Sequence, residues 1–378
     1  MKYRHLERYR VDLTVLSPLF IGNGEELSQK EYLVTQDGKR CIIPSMGLLI
    51  DLLAEKGYMD AFEQFAAQIS SPNARARTLT QFLMDQRIPV SEKEPWVLYS
   101  MPADFPGGGN TLKKCIKYPN GRAYIPGSTI KGAIRTALIA QMMDTDTSEK
   151  LLRRVETAFN LARDRWPGEE ENVLRILHCD DRHPYDAVND LLKGLEISDS
   201  APFSENALIV CQKFDERDDG KENVMPLYRE CIRPGEKTSF YITIDKAVTS
   251  VLSKEKIISA LNNVYRVLTE YDRQFDLSFD GVSDPEFNGM TPVVIGGGVG
   301  FQSKSLIYHA SKKANMDGRM IAQSALQKLF PEPTNGRKKG YYKPPHPDLS
   351  PAPYSIKLTK LRHQYCYMGR CGITFSEE

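Results

Sequence analysis

The stretch "AYIPGSTIKGAIRTAL", Ala123 to Leu138, decides how the chain is read. It begins like the end of a strand, turns at Pro126 and Gly127, and runs into a helix in which Ile130, Ile134 and Leu138 recur one turn apart. That spacing lays an apolar face on a sheet and puts Lys131 and Arg135 along a neighbouring stripe. Ser128 or Thr129 suits the N-cap, and the uncapped amides at the positive end of the helix dipole favour an anion such as phosphate. Two cations in the opening turns oppose that dipole unless an anion lies between them, so both are expected to stand free to meet one. Gly132 inside the helix costs about 1 kcal/mol relative to Ala and fits the close approach of another backbone. The order is not the G-x-x-x-x-G-K-[ST] of a nucleotide phosphate loop, and a surface helix with two solvated cations accounts for the same residues.

Upstream, "YRVDLTVLSPLFIGNG" alternates Val11, Leu13 and Val15 with polar neighbours and turns apolar at Leu19, Phe20 and Ile21, a strand ending in a glycine loop at Gly22 and Gly24. A hairpin about Asp37-Gly38 follows, then a helix from a Ser45 cap through "SMGLLIDLLAEKGYMDAFEQFAAQI". Residues 70–119 read as irregular, with "FPGGGN" at Phe105 to Asn110 as a flexible loop. A second helical stretch, "SEKLLRRVETAFNLARDRW", stops at Pro167-Gly168 and reads as an insertion. Downstream, "LEISDSAPF", "ALIVCQKF", "PLYRECIRPG" and "KTSFYITID" read as short strands, "SKEKIISALNNVYRVLTEYDRQF" as a helix, and "SIKLTKLRHQYCYMGRCGITF" as a last strand pair. This succession gives an α+β class with helices on one face of an antiparallel sheet. The second half repeats the character of the first without repeating its sequence.

A chain of 378 residues favours two domains, or one with large insertions. With 41% hydrophobic and 26% charged residues it lies far from the composition of disordered chains. Fifty basic residues against forty-nine acidic ones produce no global field, so any polyanion site must be a local patch. The polar, strand-like segment after Met1 lacks the apolar run of a signal peptide, and a soluble cytoplasmic protein without membrane contact is expected. Seven scattered cysteines without a C-x-x-C pair point to reduced thiols. The densest metal-like run, "HCDDRHPYD" from His178 to Asp186, has irregular spacing and reads as a solvated loop; no metal or cofactor is expected.

A second glycine-rich segment, "IGGGVGFQSK", sets Gly296, Gly297, Gly298 and Gly300 before Phe301 and Lys304. After a strand, such glycines let the backbone approach a ligand and expose amides, while Phe301 offers a stacking face and Lys304 a charge. The segment fails the last position of the G-x-G-x-x-G dinucleotide fingerprint, which disfavours a small-nucleotide enzyme. Basic residues interleave with rings in Arg337, Lys338, Lys339, Tyr341, Tyr342 and Lys343, and again in Lys357, Lys360, Arg362, His363, Tyr365 and Tyr367. Such runs suit single-stranded RNA or DNA, although charge runs are also ordinary solvated faces.

Taken in order, "VLSPLFIGNG", "IPGSTIKGAIRTAL", "LEISDSAPF", "GGGVGF" and "LRHQYCYMGRCGITF" resemble the RAMP proteins of CRISPR systems. The resemblance is greatest to the Csm subunit that caps the type III-A effector filament near the three-prime end of the guide RNA. It spans nearly the whole chain, and the order of the motifs is more specific than any one of them. It implies a ferredoxin-like, RRM-like core with a helical insertion over residues 1–200, and a second, degenerate ferredoxin-like portion with the glycine-rich loop over residues 201–378. Guide RNA (crRNA) contact is implied for Ser128, Thr129, Lys131 and Arg135, and for Gly296, Gly297, Gly298, Gly300 and Phe301. Lys304 and Arg362 join them from the basic and aromatic runs. The implied partners are crRNA, the neighbouring backbone and small Csm subunits, target RNA indirectly, and host nucleases that mature the guide end. In the related backbone subunit an aspartate after the first glycine loop cuts target RNA with a divalent metal. Here "EELSQKEYLV" offers Glu25, Glu26 and Glu31 with no aspartate before Asp37, so a non-catalytic subunit is expected. The alternative is a metal-independent RAMP endoribonuclease that cleaves repeat RNA with a histidine, for which His309 and His363 lie closest to the RNA elements.

Overall fold

Val11, Leu13 and Val15 are fully buried while Arg10 and Asp12 are exposed and Thr14 half-buried, so the alternation read above makes a strand with one wet face. The computed structural model describes residues 5–67, 77–103, 111–158, 169–276, 282, 284–332, 342–361 and 364–377. Strand β1 (Leu6–Val15) is followed by β2 (Gly22–Ser28), β3 (Leu33–Val34) and β4 (Arg40–Pro44), then by helices α1 (Met46–Glu55), α2 (Met59–Ala67) and α3 (Leu79–Asp85). Next come β5 (Val97–Pro102), β6 (Thr111–Cys115), α4 (Gly127–Met142), α5 (Thr145–Ala158), β7 (Leu195–Ile197), β8 (Leu208–Arg217), β9 (Glu222–Ile232) and β10 (Lys237–Asp245). The remainder holds α6 (Lys254–Asp276), β11 (Thr291–Val294), α7 (Ile307–Ala314), α8 (Gly318–Leu329), β12 (Ser355–Leu361), β13 (Gln364–Cys366) and β14 (Arg370–Glu377).

One sheet runs β11-β14-β1-β10-β7, every pairing antiparallel. Within it β1, α4, β7, β10, α6 and β14 make the β-α-β-β-α-β succession of a ferredoxin-like core, with the last strand beside the first and β11 added outside. Ile130, Ile134 and Leu138 of α4 are buried in the main core with Ile257 and Leu261 of α6, as the apolar stripe required. A second sheet runs β13-β12-β8-β9-β6-β2, with β6 and β9 parallel. A third, β3-β4-β5, carries α1 to α3 over its own core of Leu33, Ile42, Leu49, Phe65, Phe82 and Trp96. The line at residue 200 crosses both large sheets, since β1 pairs with β10 and β14, and β6 with β9.

Three local readings change. The helix expected from Ser45 breaks at Gly57, whose φ of +74° reverses the chain and divides α1 from α2; Ser45 is its N-cap residue but makes no side-chain cap bond. Gly22 and Gly24, expected as a glycine loop, lie in strand β2, whose pairing with β6 is irregular between Gly22 and Glu26. The last strand pair is three strands: β12 and β13 form a hairpin in one sheet, and β14 crosses to the other to lie beside β1. The segments Phe105 to Asn110, 159–168 and Arg337 to Tyr341, and the residues Arg362 and His363, lie outside the described residues.

Candidate nucleic-acid interface

The anion that α4 calls for comes from the chain itself. The Gly127 N–H donates to Asp199 Oδ1 at 2.8 Å, and the N-cap residue is Pro126 rather than Ser128 or Thr129. A side chain at Gly127 would collide with the backbone of Ile197 and Ser198, so this glycine lets the helix end lie on the strand β7. Beside it the Ser200 N–H donates to the Ile125 carbonyl and the Ile125 N–H to Ser200 Oγ, both at 2.9 Å, and Tyr118 and Tyr124 stack 3.9 Å apart. The expectation of two free cations is corrected: Lys131 Nζ donates to the Leu195 carbonyl at 2.8 Å, and Arg135 pairs with the buried Asp190 at 2.8 Å. Thus "IPGSTIKGAIRTAL" closes on "LEISDSAPF". Ser128 is exposed on the first turn and Thr129 half-buried.

At the same end of the five-stranded sheet, but at its opposite edge, the segments at Pro18 to Phe20, Gly296 to Gly298 and Met368 to Arg370 form a knot. The Gly297 N–H donates to the Phe20 carbonyl at 2.7 Å, the Gly369 N–H to Pro18 at 2.9 Å, and the Ile295 N–H to Gly369 at 3.0 Å. A Cβ at Gly296 would strike the Phe20 carbonyl, and one at Gly298 would lie 2.6 Å from Met368 Sδ. A Cβ at Gly297 would lie 2.8 Å from the Phe20 ring, so three of the four glycines admit residues of the same chain rather than a ligand, which corrects the simpler reading. Positive φ recurs at 296, 298 and 300, the alternation that turns successive amides toward one concavity. The amides of Gly298, Val299 and Gly300 donate to no group among the described residues. Beyond Gly300 the space is open.

Arg229 of β9 lies under this loop at 8% exposure. Its guanidinium stands 5.6 Å from the Phe20 ring centroid and donates only weakly to Met368 Sδ at 3.6 Å. No carboxylate among the described residues pairs with it. Burial holds its pKa below the usual arginine range, though a guanidinium stays charged. The strand register adds to it: Cys211 lies opposite Arg229, and Lys357 opposite Asp215, so Lys213, Asp215 and Lys357 share its face of the sheet. Lys213 pairs with Asp215 at 2.7 Å. The Lys357 ammonium is pushed down by desolvation and then by Lys213, with Arg229 and Lys304 acting the same way and Asp215 opposing them. Arg229, Lys304 and Lys357 have no ion-pair partner among the described residues; Asp215, already paired with Lys213, offsets part of their repulsion, and an incoming anion would offset more.

A wider groove of about 900 Å³ beside β5 is also basic, but its charges are satisfied. There Arg40 meets Glu92 at 2.7 Å, Lys114 meets Glu25 at 2.6 Å, Arg233 meets Glu236 at 2.9 Å, Lys117 pairs with the fully buried Glu230, and Arg122 donates to the Phe203 carbonyl at 2.7 Å. Charge pairing, rather than size, singles out the glycine loop.

The remaining sequence candidates are placed as follows. Phe301 is half-buried and Lys304 exposed, both on the loop. Lys360 lies 4.6 Å from the Phe214 centroid and 4.4 Å from that of Tyr365, so its rings belong to its own fold. Glu25 and Glu26 pair with Lys114 and Lys113, and Glu31 accepts from the Ser28 backbone. His309 is buried in α7 with Nδ1 unpartnered, and burial, with Lys313 and Arg266 adding to it, pushes its pKa down to about 4, so it is neutral and screened from solvent. In the "HCDDRHPYD" run, His178 and His183 pair locally with Asp181 and Asp180, and no metal-holding cluster occurs among the described residues. No helix among them is long and apolar enough to cross a membrane. Arg229 and Lys213 were not legible in the sequence, because a single cation inside an apolar strand carries no local signature.

Comparison with known proteins agrees with this architecture. The family model of the RAMP superfamily matches residues 12–284. The "CRISPR system Cms protein Csm5" of Streptococcus thermophilus is 30% identical over 331 residues, covering 84% of this chain and 87% of that protein. The protein of the same name from Mycobacterium tuberculosis strain H37Rv is 27% identical over 395 residues, 98% of each chain. Among solved structures, a chain of the "Csm-crRNA-target RNA ternary complex in type III-A CRISPR-Cas system" aligns with a TM-score of 0.65 at 19% identity, covering 97% of this chain and 100% of that one. The crystal structure of T. onnurineus Csm5 aligns with a TM-score of 0.57 at 19% identity, covering 96% and 99%. The RRM-like core, the loop knot that ties the first motif to the last, and these matches along most of its length lead to one assignment: the chain belongs to the RAMP superfamily and, within it, to the Csm5 proteins of CRISPR systems.

Proposed function

We propose that this chain is a crRNA-binding structural subunit of a type III-A Csm complex, capping the backbone filament and needed for maturation of the crRNA three-prime end in antiviral defence. Its partners are crRNA, the neighbouring backbone and small Csm subunits, and host nucleases recruited to trim the guide; target RNA is met through the guide. The observation that carries the reading is the glycine loop with undonated amides standing over Arg229, Lys304 and Lys357, cations without a carboxylate partner among the described residues. A phosphate backbone supplies the missing anions without base information. Phe301 and the Gly296 to Gly300 backbone line the same track. Cleavage is left to other proteins, since His309 is buried and neutral and the glutamates after β1 are paired with lysines or the backbone.

The test is purification of the tagged chain from its own host. Csm subunits and short RNA in the eluate are expected, and guides that lengthen when the chain is deleted. Purified chain should leave labelled repeat RNA intact with magnesium, with manganese and with chelator. Specific products lost on His309→Ala would replace this reading with the endoribonuclease.

A further inference from the structure

A cavity of about 440 Å³ opens beside the glycine loop at Gly300 and Phe301. Its walls are aromatic: Phe301, Phe330, Tyr354 and Tyr367 line it together with Lys357 and Gln302. Buried Arg370 fixes one wall, standing 3.7 Å over the Tyr367 ring while bonded to Asp272 at 2.5 Å and to the Tyr265 hydroxyl at 2.7 Å. Phe330 keeps a 48% exposed ring at the end of α8, on this cavity rather than in the core. Gln302 Nε2 donates to the Ala352 carbonyl at 2.8 Å, which fixes the amide orientation and leaves its buried Oε1 without a partner among the described residues. The volume is that of a small-ligand site.

Cations outside and rings inside reproduce the order of a nucleotide, phosphate first and base beyond it. Lys357 belongs to both zones, lining the cavity and sharing the sheet face of Arg229. An apolar peptide side chain would fill the rings but leave the cations unanswered. We propose that this cavity takes one unstacked base of the bound RNA strand, held against its aromatic walls. The inference rests on the RNA-binding reading above and adds to it a base pocket next to the backbone track.

The experiment titrates the full chain with single-stranded RNA carrying 2-aminopurine in turn at each position. Quenching at one position of the bound strand is expected. Phe330→Ala and the cavity-filling Ser355→Phe should each abolish the quench and weaken binding about tenfold, the scale of one lost base stack. Thermal melts of Phe330→Ala should match the wild type, since the ring is half exposed. Making that one position abasic should cost the wild type the same factor and the variants nothing more. If salt-dependent RNA binding persists while Phe330→Ala and Ser355→Phe leave affinity and fluorescence unchanged at every position, the base pocket is wrong and the backbone track stands. Absence of any RNA binding by the wild type defeats the functional reading and the pocket with it. Adenosine monophosphate binding as tightly as the strand, or Ser355→Phe releasing a protein subunit with quenching intact, also overturns the pocket.

Discussion

Replacing Arg229 by methionine should move stability and RNA affinity in opposite directions. A desolvated, unpaired guanidinium costs the free chain several kcal/mol after relaxation, of which a ring face such as Phe20 returns about 0.5–2 kcal/mol. Methionine keeps most of the volume and packs against Phe20, Cys211 and Met368, the apolar cluster already around the site. Arg229→Met should therefore stabilise the isolated chain by about 1–3 kcal/mol, a rise in Tm of about 2–5 °C. In RNA binding it should remove one phosphate contact, lowering the log-log salt slope by about 0.7 and weakening unrelated sequences equally. The measurements are urea and thermal unfolding without RNA, and affinity for two unrelated single-stranded RNAs at several salt concentrations. Arg229→Lys should keep the slope. A fall in Tm with an unchanged slope would refute the reasoning, making Arg229 a fold residue that meets no phosphate.

Gly296 and Gly300 both hold positive φ, +88° and +87°, but only at Gly296 would a side chain meet the Phe20 carbonyl. Gly300→Ala should cost about 1 kcal/mol and Gly296→Ala about 3 kcal/mol or more, and equal urea midpoints would show that the loop is not seated on β1's end. Lys131→Ala and Arg135→Ala should lower Tm, the second with a stability loss of about 1–3 kcal/mol because Asp190 loses its cation, while leaving the salt slope intact; unchanged melts with flattened slopes would return α4 to the RNA. His309 has its pKa pushed from 6.5 to about 4, so the unfolded chain binds its proton first as pH falls. The stability tied to the neutral ring is complete above pH 6.5 and lost toward pH 4, about 2 kcal/mol of it by pH 5. His309→Leu should remove that loss, and melts at pH 7.5 and pH 5 that fall equally in both proteins would count against it.

What was legible in the sequence is what depends on near neighbours. The period-two burial of Val11, Leu13 and Val15, the stripe of Ile130, Ile134 and Leu138, and the hairpin at Asp37-Gly38 all follow from local spacing. Pairing is not local: Val11 lies beside both Phe240 and Phe375, and no periodicity names those partners. The same limit explains the site. Lys131 and Arg135 looked free because Leu195 and Asp190 are some sixty residues away in sequence, and Arg229 looked ordinary because its lack of a carboxylate is a property of the folded neighbourhood. Close approach holds at Gly296, Gly297 and Gly298, where the chain's own Phe20 and Met368 come near, but not at Gly132 or Gly300, where nothing lies within 4 Å of a Cβ.

The place of β14 beside β1 bears on how the subunit is made. A ribosome that has translated through residue 290 has released β1, β7 and β10, which can pair, yet the other edge of β1 stays bare until residues 370–377 emerge. Such an edge invites pairing with other nascent chains, and long-range closure of this kind is slow. The seat of the glycine loop is also incomplete until Met368 to Arg370 have left the exit tunnel, because the Leu16 and Ser17 N–H groups donate to the Arg370 carbonyl. The bare edge of β1 is a pairing hazard for as long as β14 is missing. A premature stop codon just before β14 removes the seat of the glycine loop as thoroughly as one near the start of the gene.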